Sequence, residues 1–226
     1  MKNLLYKEFK LSIHPLTYFF VALMAMSALA PSFPSFVPLL YFGASYTFLF
    51  IGMNKTTTTN DLLYTCMLPI KREGVVKARV FSTTFLQLFD LVLVFSFLTI
   101  NRFVFQIETS DKDLGVISLG IEQGITLLGI YLICLGVFDL IYMPWFYKNG
   151  KSIIANMLVA VLTIMILGGA LTILPYVFEN VRNSLTVYGG NLILQFGILL
   201  IGLGFWLFSK YLVIKISTKN LIKLDF

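Results

Sequence analysis

The chain has 226 residues, of which 58% are hydrophobic and only 12% charged, and its formal net charge is +6. A soluble domain is about 45–50% apolar and about 25% charged, and so short a chain has too much surface for its volume to hide the excess. The bilayer is therefore the expected solvent, no stretch remains for a soluble catalytic domain, and the cations, lying between apolar runs, read as topology signals rather than as a nucleic-acid patch.

In chain order, residues 1–14 place Leu5, Phe9 and Ile13 on one helical face, with Asn3, Lys7 and Lys10 away from it. This spacing predicts a short amphipathic helix in the membrane surface, or the cytosolic extension of the first span. Ala28-Leu29-Ala30 has the form of a signal-peptide cleavage site, but the leader is long and contains Glu8, and Pro31 would follow the cut, so the segment is kept as a span. The six expected spans are about 16–32, 35–53, 80–100, 115–146, 152–174 and 191–213. In the fourth, Gly120, Glu122, Gln123 and Gly124 interrupt the first part, which puts the crossing proper at 125–146. Pro31, Pro34 and Pro38 mark a tight corner between the first two spans; residues 55–79 form the longest polar loop, and 175–190 a semi-polar element before the last span.

With both termini inside, the inner segments hold 14 of the 17 Lys and Arg residues, and only Arg102, Lys112 and Arg182 lie outside. Such a bias orients a membrane protein with its basic loops in the cytoplasm. Trp145, Tyr142, Phe146 and Tyr147 fit an inner aromatic belt. The fold class is thus an all-α membrane protein in a single transmembrane domain, 1–226.

Motifs for chemistry are few. Gly150-Lys151-Ser152 lacks the upstream glycine of a phosphate loop, and Gly202-Leu203-Gly204 lies within a span and reads as packing. His14 has no partners nearby for a metal or for catalysis, and Cys66 and Cys134 make no disulfide framework. Gly120–Gly124 is a small-xxx-small pair, which suits helix packing or a subunit contact. Asp90 lies near the middle of the third span and Asp139 in the inner half of the fourth. A carboxylate at the bilayer centre costs about 2.5–3.5 kcal/mol on insertion scales. The pair reads either as interhelical hydrogen bonding, with Gln87 and Gln195 as candidate partners, or as a proton relay or cation contact on a transport path.

The loop 55–79 carries the most information. Thr59 and Asn60 are N-cap types, Asp61 suits a first turn, and Leu62, Leu63, Met67 and Leu68 form an apolar ridge that Pro69 ends. A short helix with that ridge fits either a partner's groove or the lipid surface. At this loop the sequence resembles the permease subunits of bacterial ATP-binding-cassette exporters of the second type. The pattern is Asp61-Leu62-Leu63, Leu68-Pro69-Ile70, Arg72, Val75-Val76 and Lys77 directly before the third span, and residues 1–10 resemble that family's amphipathic entry helix. Within the family it looks most similar to the small permeases that export amphipathic peptide toxins, the phenol-soluble modulins, which are linked to virulence.

The resemblance implies a non-catalytic permease in a bacterial cytoplasmic membrane, working as a homodimer with separate ATPase subunits that carry the ATP and Mg. It implies no cofactor or metal on this chain and no nucleic acid. Asn60, Asp61, Leu62, Leu63, Tyr64, Cys66, Met67, Leu68 and Pro69 would form the coupling helix seated in the ATPase, and 175–190 an extracellular element. Amphipathic peptide and membrane lipid are the other implied partners. The aromatics of the first two spans (Tyr18, Phe19, Phe20, Tyr41, Phe42, Tyr46, Phe48, Phe50) line a peptide route or face lipid and packed helices. The alternatives are an ion-gradient-driven transporter using Asp90 and Asp139, and a peptide-binding immunity or scaffold protein.

Overall fold

The computed structural model describes residues 2–12, 16–29, 70–104, 125–149, 153–178 and 191–223. Nearly all of them are helical. Helix α1 (Lys2–Lys7) continues into a wide π turn at Glu8–Ser12, and α2 (Leu16–Ala25) tightens into a 3-10 turn at Met26–Leu29. Then come α3 (Arg72–Val104), α4 (Ile125–Asn149), α5 (Ile153–Val177) and α6 (Leu192–Lys223). The expected second span, 35–53, the coupling-helix residues 60–69, Gly120–Gly124 and most of the 175–190 element lie outside the described residues.

Among the described residues three stretches are long and apolar enough to cross a membrane: Arg72–Phe97 within α3, Ile125–Lys148 within α4, and Leu192–Lys223. Shorter apolar stretches, Tyr18–Leu29 and Ala155–Leu171, lie at α2 and in α5. The helices overrun their expected bounds. The third starts at Arg72 rather than 80, the fifth passes Pro175 to end at Val177, and the sixth continues ten residues beyond 213. Hydropathy marks where charge begins, whereas the hydrogen-bond ladder continues through Lys and Arg at little cost, because both are good helix formers. At about 1.5 Å per residue, α3 and α6 each span nearly 50 Å, well beyond a hydrocarbon core of about 30 Å.

Helix α4 is central. It packs along α6 and α5, while α3 packs on α6 and carries α1 and α2 on its flank. The α3 stripe Val76, Val80, Thr83, Gln87, Asp90 and Val94 is buried, and Phe81, Phe85, Leu88, Val92 and Phe95 are exposed. The outward face is thus more apolar than the inward one, as expected where lipid surrounds the helices. Hydroxyls do not disturb this arrangement, since Ser82, Thr83, Thr84, Ser96 and Thr99 each donate to a carbonyl three or four residues back on α3.

The α4–α6 contact is close because glycine faces backbone. A Cβ on Gly202 would overlap the Gly129 carbonyl oxygen and stand 3.0 Å from its carbon, and one on Gly129 would stand 2.8 Å from the Ile198 carbonyl oxygen. Gly202 therefore packs, as its place in a span suggested, but Gly204 faces open space. At the start of α6, Asn191 caps the helix, its Oδ1 accepting from the Ile193 amide at 3.1 Å.

The aromatic belt is corrected in part. Tyr142, Phe146 and Tyr147 are buried in the core, and only Trp145 of that set is exposed. Phe138, Tyr142, Phe146 and Tyr147 form a continuous ring ladder with successive centroids 5.6, 6.1 and 5.1 Å apart. Sequence position near a span end does not distinguish a ring facing lipid headgroups from one facing a neighbouring helix.

Candidate functional site

Among the described residues, two buried ion pairs organise the interior. In the first, α3, α4 and α6 each send a polar side chain to one point. Gln87 Nε2 donates to both carboxylate oxygens of Asp139, at 3.0 Å each. Gln87 Oε1 accepts from Trp206 Nε1 at 3.1 Å and from Lys210 Nζ at 2.6 Å. Lys210 Nζ also donates to Asp139 Oδ2 and stands 5.0 Å from the Trp206 ring centroid. The amide orientation of Gln87 is fixed by this network: its NH2 meets the acceptor-only carboxylate and its oxygen meets two donors, so a flip would oppose like groups.

Gln87 and Asp139 are at most 2% exposed. Three helices are thereby joined by one charge-neutral cluster, where the low dielectric strengthens every bond and makes any unpaired member costly. Asp90 stands apart from it. It lies one turn beyond Gln87 on the same buried face, is 1% exposed, and neither carboxylate oxygen has a hydrogen-bond partner among the described residues. Of the two glutamines expected to partner the carboxylates, Gln87 lies with Asp139, while Gln195 is buried near the start of α6. Lys210 and Trp206 were not singled out. The one signal for them was a lysine three residues inside the end of the apolar run 191–213, where a topology count treats it as a loop cation.

The second pair lies about eight residues down α3. Arg79 Nε donates to Glu8 Oε2 at 3.0 Å and its Nη2 to Oε1 at 3.4 Å, a two-pronged contact between buried side chains. The Arg79 guanidinium also sits 5.7 Å from the Phe146 ring centroid. Phe9 packs edge-on against Phe81 and Phe85, with centroids 6.5 and 5.4 Å apart. Leu4 and Glu8 of this segment are buried, with Phe9 packed beside them; of the expected stripe, Leu5 and Phe9 are half-buried and Ile13 lies outside the described residues. Arg79 supplies a countercharge that a wheel of the N-terminal segment cannot contain, and the π turn at Glu8 changes the register of the side chains. Glu8→Ala is expected to weaken the docking of α1 by about 2 kcal/mol. Limited trypsin digestion checks this, with faster cleavage at the exposed Lys10 and an unchanged core as the result.

The same end of the molecule is tied once more. Arg72 Nη1 donates to the carbonyls of Leu221 and Ile222 at 3.0 Å each, covering the orphan acceptors near the end of α6. Asn220 Nδ2 donates to the Pro144 carbonyl of α4 at 2.9 Å. The first two turns of α3 thus hold both α1 and the end of α6. Arg79 and Lys210, counted among the 14 inner cations, are structural ion-pair partners, and the other twelve remain to carry the charge bias.

Among the described residues no three His, Cys, Asp or Glu side chains converge as a metal site requires, and Cys134 is a buried free thiol. Compared with known proteins, the chain matches no family model, and no curated protein or solved structure was found to be similar to it.

Proposed function

We propose that the chain is the permease subunit of an ATP-driven exporter of the ATP-binding-cassette kind. It has six spans with both termini in the cytoplasm of a bacterial cell, pairs with a second copy, and carries amphipathic or hydrophobic peptides outward. ATP is hydrolysed on separate subunits that grip residues 60–69. The observation that supports this most is where the polar anchors fall. The loop pattern runs on through Lys77 into the start of α3, where Arg72 binds the end of α6 and, two residues past the pattern, Arg79 binds Glu8. A displacement of the loop is then delivered to α3, α1 and α6 together, and through Gln87 to Asp139 on α4. Helices linked in this way are displaced by one movement of the loop, and alternating access requires such a displacement.

The test is purification of the tagged chain from native membranes in mild detergent. An ATPase is expected to accompany it in stoichiometric amount. Leu63→Asp is expected to remove that ATPase and to reduce ATP-dependent peptide release to background, while leaving the thermal unfolding of the chain unchanged. A chain that purifies alone, or a Leu63→Asp variant that keeps its ATPase, overturns the proposal.

One observation favours a second reading, an ion-gradient-driven transporter: carboxylates and an ammonium, Asp90, Asp139 and Lys210, are buried along the spans. It predicts flux in liposomes that follows an imposed gradient without ATP and is lost in Asp90→Asn.

A further inference from the structure

Besides the Glu8–Arg79 pair, the described core holds two buried carboxylates, Asp139 and Asp90, and one buried ammonium, Lys210. Lys210 is engaged by Asp139 and Gln87, and Asp90 is engaged by nothing described. Arg79, a second buried cation, lies on α3 eleven residues before Asp90 and is held by Glu8. We propose that Asp90 is a second station for Lys210, so that the ammonium passes between Asp139 on α4 and Asp90 on α3 as the helices change their relative position.

The register makes the exchange short. Arg72 near the start of α3 reaches the end of α6, and Gln87 meets Lys210 and Trp206, so the two helices run antiparallel. Asp90 lies three residues beyond Gln87 on the same buried face, a rise of about 4.5 Å. Trp206 lies one turn before Lys210 on α6, on the side toward which Asp90 lies, and its ring already contacts the ammonium. A slide of α6 along α3 by about one turn is a recognised form of helix switching, and it carries Lys210 from the level of Gln87 to that of Asp90. The lysine stem is flexible and its head has three donors, of which two are used here. Gln87 bonds Asp139, stands three residues before Asp90 on α3 and accepts from Lys210 in the arrangement observed, so the ammonium keeps a partner as it leaves Asp139. One ammonium neutralises one carboxylate at a time, which gives two discrete arrangements rather than a continuum. Lys210 has this choice whether or not an ATPase drives the chain.

The experiment uses the full chain in native membranes treated with dicyclohexylcarbodiimide, which enters lipid and joins a carboxyl to a neighbouring amine as an amide, taking up the water lost as it becomes the urea. The products are mapped by mass spectrometry after digestion. The wild type is expected to give a Lys210–Asp139 amide together with a smaller amount of Lys210–Asp90 amide, and Asp139→Asn to give the Asp90 product alone, increased several-fold. A wild type that gives the Asp139 product, with an Asp139→Asn variant that never gives the Asp90 product, overturns the proposal. Thermal unfolding of Asp90→Asn, Asp139→Asn and the double variant supplies an independent readout. With two stations, each single variant leaves Lys210 one carboxylate, and the double variant loses far more folded protein than the two single losses combined. Losses that simply combine overturn it.

Discussion

Lys210→Met is expected to cost about 3–5 kcal/mol, because it leaves the Asp139 carboxylate buried among three helices without its countercharge. Gln87 Nε2 remains as a donor to Asp139, but an amide hydrogen bond does not replace an ammonium in a medium with little water. Gln87 Oε1 also loses the shorter of its two donors. The measurement is the folded fraction after detergent extraction, read by size exclusion and thermal unfolding. The informative control is Lys210→Met combined with Asp139→Asn. Removing both charges leaves a neutral cluster in which the introduced amide can still bond Gln87, and most of the loss is expected to be recovered. A single variant as stable as the wild type would mean that the pair contributes nothing to the packing of α4 against α6.

Gly202→Val is expected to cost about 3 kcal/mol, at the upper end of what overpacking produces. The atom in the way is the Gly129 carbonyl oxygen, which overlaps the place where the new Cβ must stand. No rotamer change clears a backbone atom, so the helices must separate, and separation also pulls Lys210 on α6 away from Asp139 on α4. Gly129→Ala is expected to act in the same direction, since its Cβ would meet the Ile198 carbonyl oxygen at 2.8 Å. Gly197 and Gly204 lie on the same helix as Gly202, and a Cβ added at either would have nothing within 4 Å. Alanine there is expected to be neutral, or to stabilise by about 0.5–1 kcal/mol through helix propensity. Thermal unfolding of the four variants in one detergent separates the two classes. If Gly197→Ala or Gly204→Ala lowers stability as much as Gly202→Val, those positions contact something other than the described residues.

Other elements show where sequence reasoning stopped. Asp139 and Gln87 stood out because a polar side chain in an apolar run demands an explanation, and α3 and α4 bring them together. Glu8 and Arg79 did not stand out, because each lies in a stretch already rich in charge. The small-xxx-small pair at Gly120 and Gly124 drew attention by its pattern, whereas the close approach described is at Gly129 and Gly202, on two different helices. A spacing rule operates within one helix, so it does not register two glycines that meet across an interface.

The sequence by itself determined that this chain is helical and apolar enough for a membrane, roughly where its long helices run, and that Asp90 and Asp139 need an account. These follow from composition and from hydropathy along the chain, which are local properties. Only the tertiary structure decided that α4 lies at the centre, that Asp139 has Lys210 for its partner while Asp90 has none among the described residues, and that Glu8 is buried against Arg79. The physical reason is that a lipid-facing side and a protein-facing side are both apolar, so the usual contrast that tells which way a helix faces is nearly absent. Packing and charge pairing between residues 71 positions apart, as for both Glu8–Arg79 and Asp139–Lys210, then set the orientation of each helix.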